Sequence, residues 1–196
     1  MAWRSPIRQI TGEAEFAEIF MDNVKIPAEN LIGAENNGWN IAQSTLSTER
    51  GLLIFGLTER LARNFEEDRK DGASTWMRDV QLRREYAAFH AELLSVRLMI
   101  RNLLMELEAN PQKASPTLPV YIKLYWGPLL QRYTEFVLRA EGLPAQKWQK
   151  PIPGTGQTSR LRMNDFLKSY GWTIAGGANE IMRNIISERI LGLPKG

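Results

Sequence analysis

The strongest pattern in the chain is a set of segments in which apolar residues recur every three to four positions, the spacing of one buried helix face. These segments predict helices over about 39–68, 75–108, 119–141 and 160–172. The second segment is the most regular, and its apolar stripe comprises Val80, Tyr86, Phe89, Leu93, Val96, Ile100, Leu103 and Leu107. Long helices with short connections predict an up-and-down antiparallel helical bundle.

Helix-breaking residues separate the predicted helices. The break at 70–74 ends the first, and Asn110-Pro111 ends the second. Residues 143–158 hold three prolines and two glycines and predict a loop. A phosphate-binding role for 154–159 is disfavoured because no strand precedes it and it lacks a lysine. A flexible loop ending in a helix cap at Ser159 is the favoured interpretation.

The N-terminal segment is β-prone instead. Two runs, 7–10 and 16–26, are joined by a predicted turn at Thr11-Gly12. Because two strands alone are rarely stable in water, the segment is expected to be the edge of a larger sheet. The fold class is therefore mostly α, a bundle domain over 28–196 with a short β segment at 1–27. Because Met1-Ala2 is followed directly by such an edge, the sequence is expected to be a truncated gene product.

A distinctive stretch lies at 170–194. An apolar turn runs into Gly176-Gly177, and a helix is predicted to follow. One helix face would carry Ala178, Ile181, Met182, Ile185 and Ile186, and the other Asn179, Arg183, Asn184 and Ser187. Glu180 lies in the first turn, where a negative charge suits the helix dipole. The glycine pair allows close backbone approach and leaves N–H groups free to face an anion, or it is only a kink between two helices.

Composition restricts the possible classes of protein. The chain of 196 residues suits one domain with a sizeable core, has no cysteine, and has one histidine, His90, so a histidine-based metal site is not expected. The net charge of +3 arises from interspersed signs, which gives no support for nucleic-acid binding. No apolar run approaches a membrane span, and the expected location is cytoplasmic.

An aromatic cluster at helical spacing is expected in the core or a subunit interface: Tyr121, Tyr125, Trp126 and Tyr133.

Two long stretches resemble the acyl-CoA dehydrogenase family. TIAGGANEIMRNIISERILGLP, at 173–194, is similar to the C-terminal signature in its bacterial Gly-Gly form. EFAEIFMDNVKIPAENLIGAENNGWNIAQSTLSTER, at 15–50, resembles the passage from the family's middle β-domain into its C-terminal helical domain. The resemblance implies that residues 1–27 are the residual edge of that β-domain. The N-terminal helical domain and most of the β-domain then lie outside this chain, and the isolated chain is expected to be inactive.

The resemblance also implies a reaction and its partners. The family desaturates an acyl-CoA thioester in fatty acid or lipid catabolism. A carboxylate removes the α-proton while a hydride leaves the β-carbon for FAD. The expected partners are the acyl-CoA substrate, an electron-transferring flavoprotein or similar acceptor, and sister subunits in a homo- or hetero-oligomer, a dimer or tetramer.

The catalytic base is expected at Glu49. Many members carry it just before the glycine of the C-terminal signature, but Gly176 occupies that position here. Other members carry it on the first helix of the C-terminal domain in a segment ending Glu-Arg, which Glu49-Arg50 matches. Neighbours one helical turn away, Thr45 and Leu53 among them, would desolvate the acid and raise its pKa. The alternative is that Glu49 forms an ion pair with a buried arginine such as Arg50.

Further roles follow from the same resemblance. Arg50 and Ser47 would contact the substrate, and Gly177 would lend its backbone to it. The residues expected to border the flavin are Ala178, Asn179 and Glu180. Two family landmarks that hold the flavin pyrophosphate of a neighbouring subunit, Arg-x-x-Phe-Gly and Gln-x-x-Gly-Gly, have no match. Their absence favours a rival function, a non-catalytic subunit that completes a partner's flavin site; a flavin oxidase is a third possibility.

Overall fold

The computed structural model of the chain describes residues 2–73, 75–110, 117–149 and 161–195, and for residues 2, 3 and 46–52 it describes the backbone alone. The predicted loop at 154–159 and its Ser159 cap lie outside the described residues. No helix within these ranges combines the length and apolar character needed to cross a membrane.

The helices lie where the apolar stripes predict them. They are α1 (Gly38–Gly72), α2 (Val80–Ala109), α3 (Leu118–Glu141), α4 (Arg162–Gly171) and α5 (Asn179–Ile185), which continues as a π-helical turn over Ile186–Ile190. Asp79 caps α2 by accepting hydrogen bonds from Gln81 N and Leu82 N. Gly142, with φ +74°, follows the end of α3.

Contacts between the helices confirm the up-and-down bundle. Both neighbours of α2 are antiparallel to it. On α1, Glu59 pairs with Arg97 and Phe65 O accepts from the Tyr86 hydroxyl. On α3, Arg132 pairs with Glu92 and Arg139 with Glu85. The helix α4 runs back along α3, because Arg162 pairs with Glu141 while Trp172 packs edge-on against Trp126. It follows that α1 and α3 run in the same direction.

The core lies between α1, α2 and α3. Phe65 on α1 stacks on Tyr133 of α3 with ring centroids 3.6 Å apart, and Phe89 of α2 meets Tyr133 edge-on. The aromatic cluster is thus divided: Trp126 and Tyr133 are buried, whereas Tyr121 and Tyr125 are partly exposed. Members of the α2 stripe that are buried are Tyr86, Phe89, Leu93, Val96, Ile100 and Leu103.

A polar cluster is buried inside the bundle. Asp68, 1% exposed, lies with Oδ1 2.6 Å from Arg162 Nη2, and its Oδ2 accepts a 2.6 Å hydrogen bond from the Tyr133 hydroxyl. Arg162 also donates to Glu141. Burial raises the pKa of Asp68, although the Arg162 guanidinium and the Tyr133 hydroxyl oppose part of that rise. These contacts join α1, α3 and α4.

The β segment is an antiparallel pair, β1 (Ala2–Ile7) and β2 (Phe16–Met21), with Ile7 opposite Phe16. The predicted first strand at 7–10 was wrong. Gln9 N donates to Glu13 O at 2.8 Å and Gly12 N to Gln9 O at 2.9 Å, so this stretch forms the turn instead. The turn is held on the bundle by Trp148 Nε1, which donates to Thr11 O at 3.2 Å, and by an ion pair between Lys168 and Glu13.

Candidate functional site

The glycine loop, defined here as residues 172–179, connects α4 to α5. Gly176 and Gly177 have φ values of +69° and +107°, in the left-handed region that favours glycine. Gly177 N donates to Ile174 O at 3.1 Å, and Asn179 N donates to Thr173 O at 3.0 Å. Of the two alternatives for the glycine pair, an anion-facing N–H group does not hold at Gly177, because the loop uses that N–H internally.

The helix after the loop is rotated from the predicted orientation. Asn179 was assigned to the polar face, yet it is 7% exposed, and Met182 one turn further is fully buried. Ile181, assigned to the apolar face, is exposed, as is the side chain of Glu180. The reason is a polar partner in the core, since the side-chain oxygen of Asn179 lies 3.5 Å from Lys123 Nζ.

Sequence reasoning missed Lys123. This residue of α3 is 2% exposed, and its Nζ donates a 2.8 Å hydrogen bond to the carbonyl oxygen of Trp172. One turn further along α3, a Cβ at Gly127 would lie 3.1 Å from the same oxygen. A detectable signal existed, because Lys123 falls on the helix face that also carries Val120 and Gly127, both buried at helical spacing.

The other predicted site segment lies in the N-terminal half of α1. The side chains of Ser47, Glu49 and Arg50 are outside the description, so their placement is that of the helix backbone. Of the neighbours expected to desolvate Glu49, Thr45 is exposed and Leu53 is 43% exposed. These two neighbours therefore do not supply the cover that the sequence predicted for Glu49.

The fold brings the two segments to one end of the bundle. Leu57 of α1, Trp126 of α3 and Trp172, the first residue of the glycine loop, line one cavity of about 70 Å³. Glu49 precedes Leu57 by two helical turns, about 12 Å along the axis. Because α1 and α3 run in the same direction, the N-terminal half of α1 and the loop beside Lys123 lie at the same end.

An up-and-down helical bundle with a glycine loop between α4 and α5 defines the class of protein, a C-terminal helical domain. The family model described as "Acyl-CoA dehydrogenase, C-terminal domain" matches residues 36–191. The chain belongs to the acyl-CoA dehydrogenase family, whose members are in general FAD-dependent oxidoreductases. The resemblance inferred from 15–50 and 173–194 is thereby confirmed.

Similar proteins agree with this assignment. The chain is 32% identical to the acyl-CoA dehydrogenase IpdE1 of Mycobacterium tuberculosis over 198 residues, covering 97% of the chain and 47% of that relative. It is 29% identical to FadE34 of the same organism, covering 97% of the chain and 24% of the relative. The chain thus spans about half the length of IpdE1.

Two solved structures share the fold. The steroid acyl-CoA dehydrogenase Tcur3481-Tcur3483, as a G363A variant, matches with a TM-score of 0.85 at 21% identity, over 100% of this chain and 50% of that one. The ChsE4-ChsE5 complex from Mycobacterium tuberculosis matches with a TM-score of 0.76 at 22% identity, over 100% and 51% respectively.

Proposed function

We propose that this chain is the C-terminal domain of a flavin-dependent acyl-CoA dehydrogenase, and that the intact protein desaturates an acyl-CoA thioester between its α and β carbons. The observation that supports this function is the convergence of two segments. The helix carrying Glu49 and the loop carrying Gly176-Gly177 reach the same end of the bundle, where a base and a substrate-contacting backbone would both be needed.

In this proposal, a carboxylate oxygen of Glu49 takes the α-proton of the substrate. The backbone conformation at position 176 is unfavourable for a residue with a side chain, because φ is +69° and the strain would be about 1–2 kcal/mol. This favours a base at another position. Exposed Leu53 lies one turn beyond Glu49. Apolar cover from the substrate and the β-domain would desolvate the acid and raise its pKa. Arg50 and Ser47 would face the thioester and the coenzyme A portion.

The glycine loop suits the edge of a flat ring system. Gly177 and Ala178 carry no side-chain atoms beyond Cβ and are half-buried, so a planar group can approach their backbone closely. Glu180 is exposed beside them. FAD, when bound, supplies the acceptor for the hydride that leaves the β-carbon. Asn179 would border the flavin without donating to it, because its N–H bonds to Thr173 O and its side chain turns inward to Lys123.

The second candidate is an assembly subunit that completes a partner's flavin site. The missing pyrophosphate landmarks favour it, and so does the similarity of the fold to the ChsE4-ChsE5 complex. Three exposed apolar residues on the outer face of α2 would suit contact with a sister subunit: Leu94, Leu98 and Met105. An electron-transferring flavoprotein, or a similar acceptor, would reoxidise the flavin in either assembly.

Glu49→Gln in the full-length protein tests the assignment. The amide keeps the shape of the side chain but accepts no proton, so flavin reduction by acyl-CoA is expected to slow by about a hundredfold to ten-thousandfold. The matched control is Glu59→Gln, on the same helix, which removes only an ion pair with Arg97 on the bundle surface. Near-normal reduction in a folded Glu49→Gln protein would reject the base, and reduction only in the presence of a co-encoded paralogue would support the assembly subunit.

A further inference from the structure

We propose that Lys123 is a positioning residue that fixes the shape of the glycine loop by holding its two ends together. The catalytic consequence rests on the proposed function, whereas the structural role does not. Lys123 was not among the residues that the sequence assigned to the site, and two of its contacts are with the ends of the glycine loop.

The first support is that one buried ammonium group reaches both ends of the loop. Lys123 Nζ donates to the carbonyl oxygen of Trp172, the first loop residue, at 2.8 Å. It lies 3.5 Å from the side-chain oxygen of Asn179, the last. A buried charge is costly unless polar groups surround it. The loop ends supply such groups, so loop and lysine stabilise one another.

The second support is the shape of α3 around the same carbonyl. Gly127 lies one turn after Lys123, and a Cβ there would come within 3.1 Å of Trp172 O and 3.6 Å of Thr173 Cγ2. The absence of a side chain at 127 lets the loop approach the helix closely enough for the lysine to reach it. Trp126 packs edge-on against Trp172 from the same face, with centroids 5.6 Å apart.

Holding the ends matters because the middle of the loop has little intrinsic rigidity. Gly176 and Gly177 have the widest backbone freedom of any residue type, so their conformation depends on the anchoring of the residues around them. A misplacement of about 1 Å in a catalytic site can slow a reaction about a hundredfold. Release of Trp172 and Asn179 would permit such a shift at Gly177 and Ala178.

Hydrogen exchange of the intact protein measures the structural role without requiring catalysis. In Lys123→Met, the peptide covering 172–179 is expected to exchange about tenfold to a hundredfold faster, the range for losing a hydrogen bond to a charged group. A peptide covering 86–96 of α2 is expected to be unchanged. Lys168→Met is the matched control, because Lys168 pairs with Glu13 on the β turn and makes no described contact with the loop ends.

Gly127→Ala provides a second variant that keeps the lysine. Alanine favours the helix, but its Cβ would press on Trp172 O, so the same peptide should again exchange faster. If Lys123→Met does not fold, Gly127→Ala still tests whether the contact between α3 and Trp172 O fixes the glycine loop. Exchange of 172–179 at the rate of the Lys168→Met control would overturn the proposal. Equal acceleration in all peptides would also overturn it, since it would indicate general destabilisation.

Kinetics distinguish this proposal from the proposed function. In Lys123→Met, flavin reduction is expected to slow about tenfold or more while the KM for acyl-CoA changes little. Faster loop exchange with a wild-type reduction rate would overturn the positioning role. If the wild-type protein bound no FAD or desaturated no acyl-CoA, the proposed function would fail, and the exchange data would still decide whether Lys123 holds the loop.

Discussion

Replacing Tyr133 by phenylalanine removes a single hydroxyl group from the interior and is expected to lower the free energy of unfolding by about 1.5–3 kcal/mol. The hydroxyl is 2.6 Å from a carboxylate oxygen of Asp68, and the two residues are 2% and 1% exposed. The aromatic ring stays, so its stacking on Phe65 is retained. What is lost is a hydrogen bond to a buried carboxylate.

Tyr125→Phe is the matched control for this prediction. It lies on the same helix, and its hydroxyl donates to a carboxylate oxygen of Glu92 at 3.0 Å, but at the bundle surface. Water can rehydrate that carboxylate, and Arg132 continues to pair with it. The expected loss is therefore about 0–1 kcal/mol, the range of exposed polar pairs. Burial is the main difference between the two substitutions.

The free energy of unfolding is measured by urea denaturation followed by far-ultraviolet circular dichroism. Equal m-values would confirm that each variant exposes the same surface area on unfolding. In a chain of this size, about 1 kcal/mol corresponds to about 2–4 °C in Tm. The folded pKa of Asp68 is already raised, and losing the hydroxyl raises it further, so the penalty should shrink as the pH falls and Asp68 becomes protonated. Equal losses in the two variants would refute the reasoning from burial.

Two further predictions concern alkaline stability and cofactor binding. Burial raises the pKa of Tyr86 from its ordinary value of 10.0 to about 12; its contribution to stability is full below about pH 10 and is lost as the pH rises to about 12. Tyr86→Phe should reduce this alkaline loss in denaturation midpoints, and an unchanged profile would contradict it. The isolated chain is expected to bind FAD weakly, because most of the β-domain that packs on the flavin lies outside it; calorimetry giving a Kd of about 1 μM or tighter, about −8 kcal/mol, would contradict this.

The helices were predictable because apolar stripes reflect burial directly. The stripe of α1 runs through Leu57, Leu61 and Phe65, and the next position on it is Asp68. A pattern of apolar positions assigns such a residue to the surface. Its partners, Tyr133 and Arg162, lie on helices distant in sequence, and only the assembled bundle shows that they meet.

The candidate site was predictable to a different extent in its two halves. The glycine pair and its turn were placed by the sequence, and their left-handed backbone agrees with the need for glycine. The rotation of α5 was missed because Asn179 was treated as a surface residue, whereas a buried lysine provides a polar partner within the core. Glu49 stays a prediction, supported by family resemblance and by the position of its helix.

The exposed ion pairs between α2 and α3 have a consequence for how the two helices align. Glu85 with Arg139 and Glu92 with Arg132 are spaced seven residues apart on both helices. The buried stripe of α2 also repeats every seven residues, so sliding one helix by that interval, about 10.5 Å, would still match apolar faces. Such a slide would keep only one of the two acid–base pairs. Each pair stabilises the fold by only about 0.2–1 kcal/mol, but together they discriminate between registers that the hydrophobic pattern alone would accept equally.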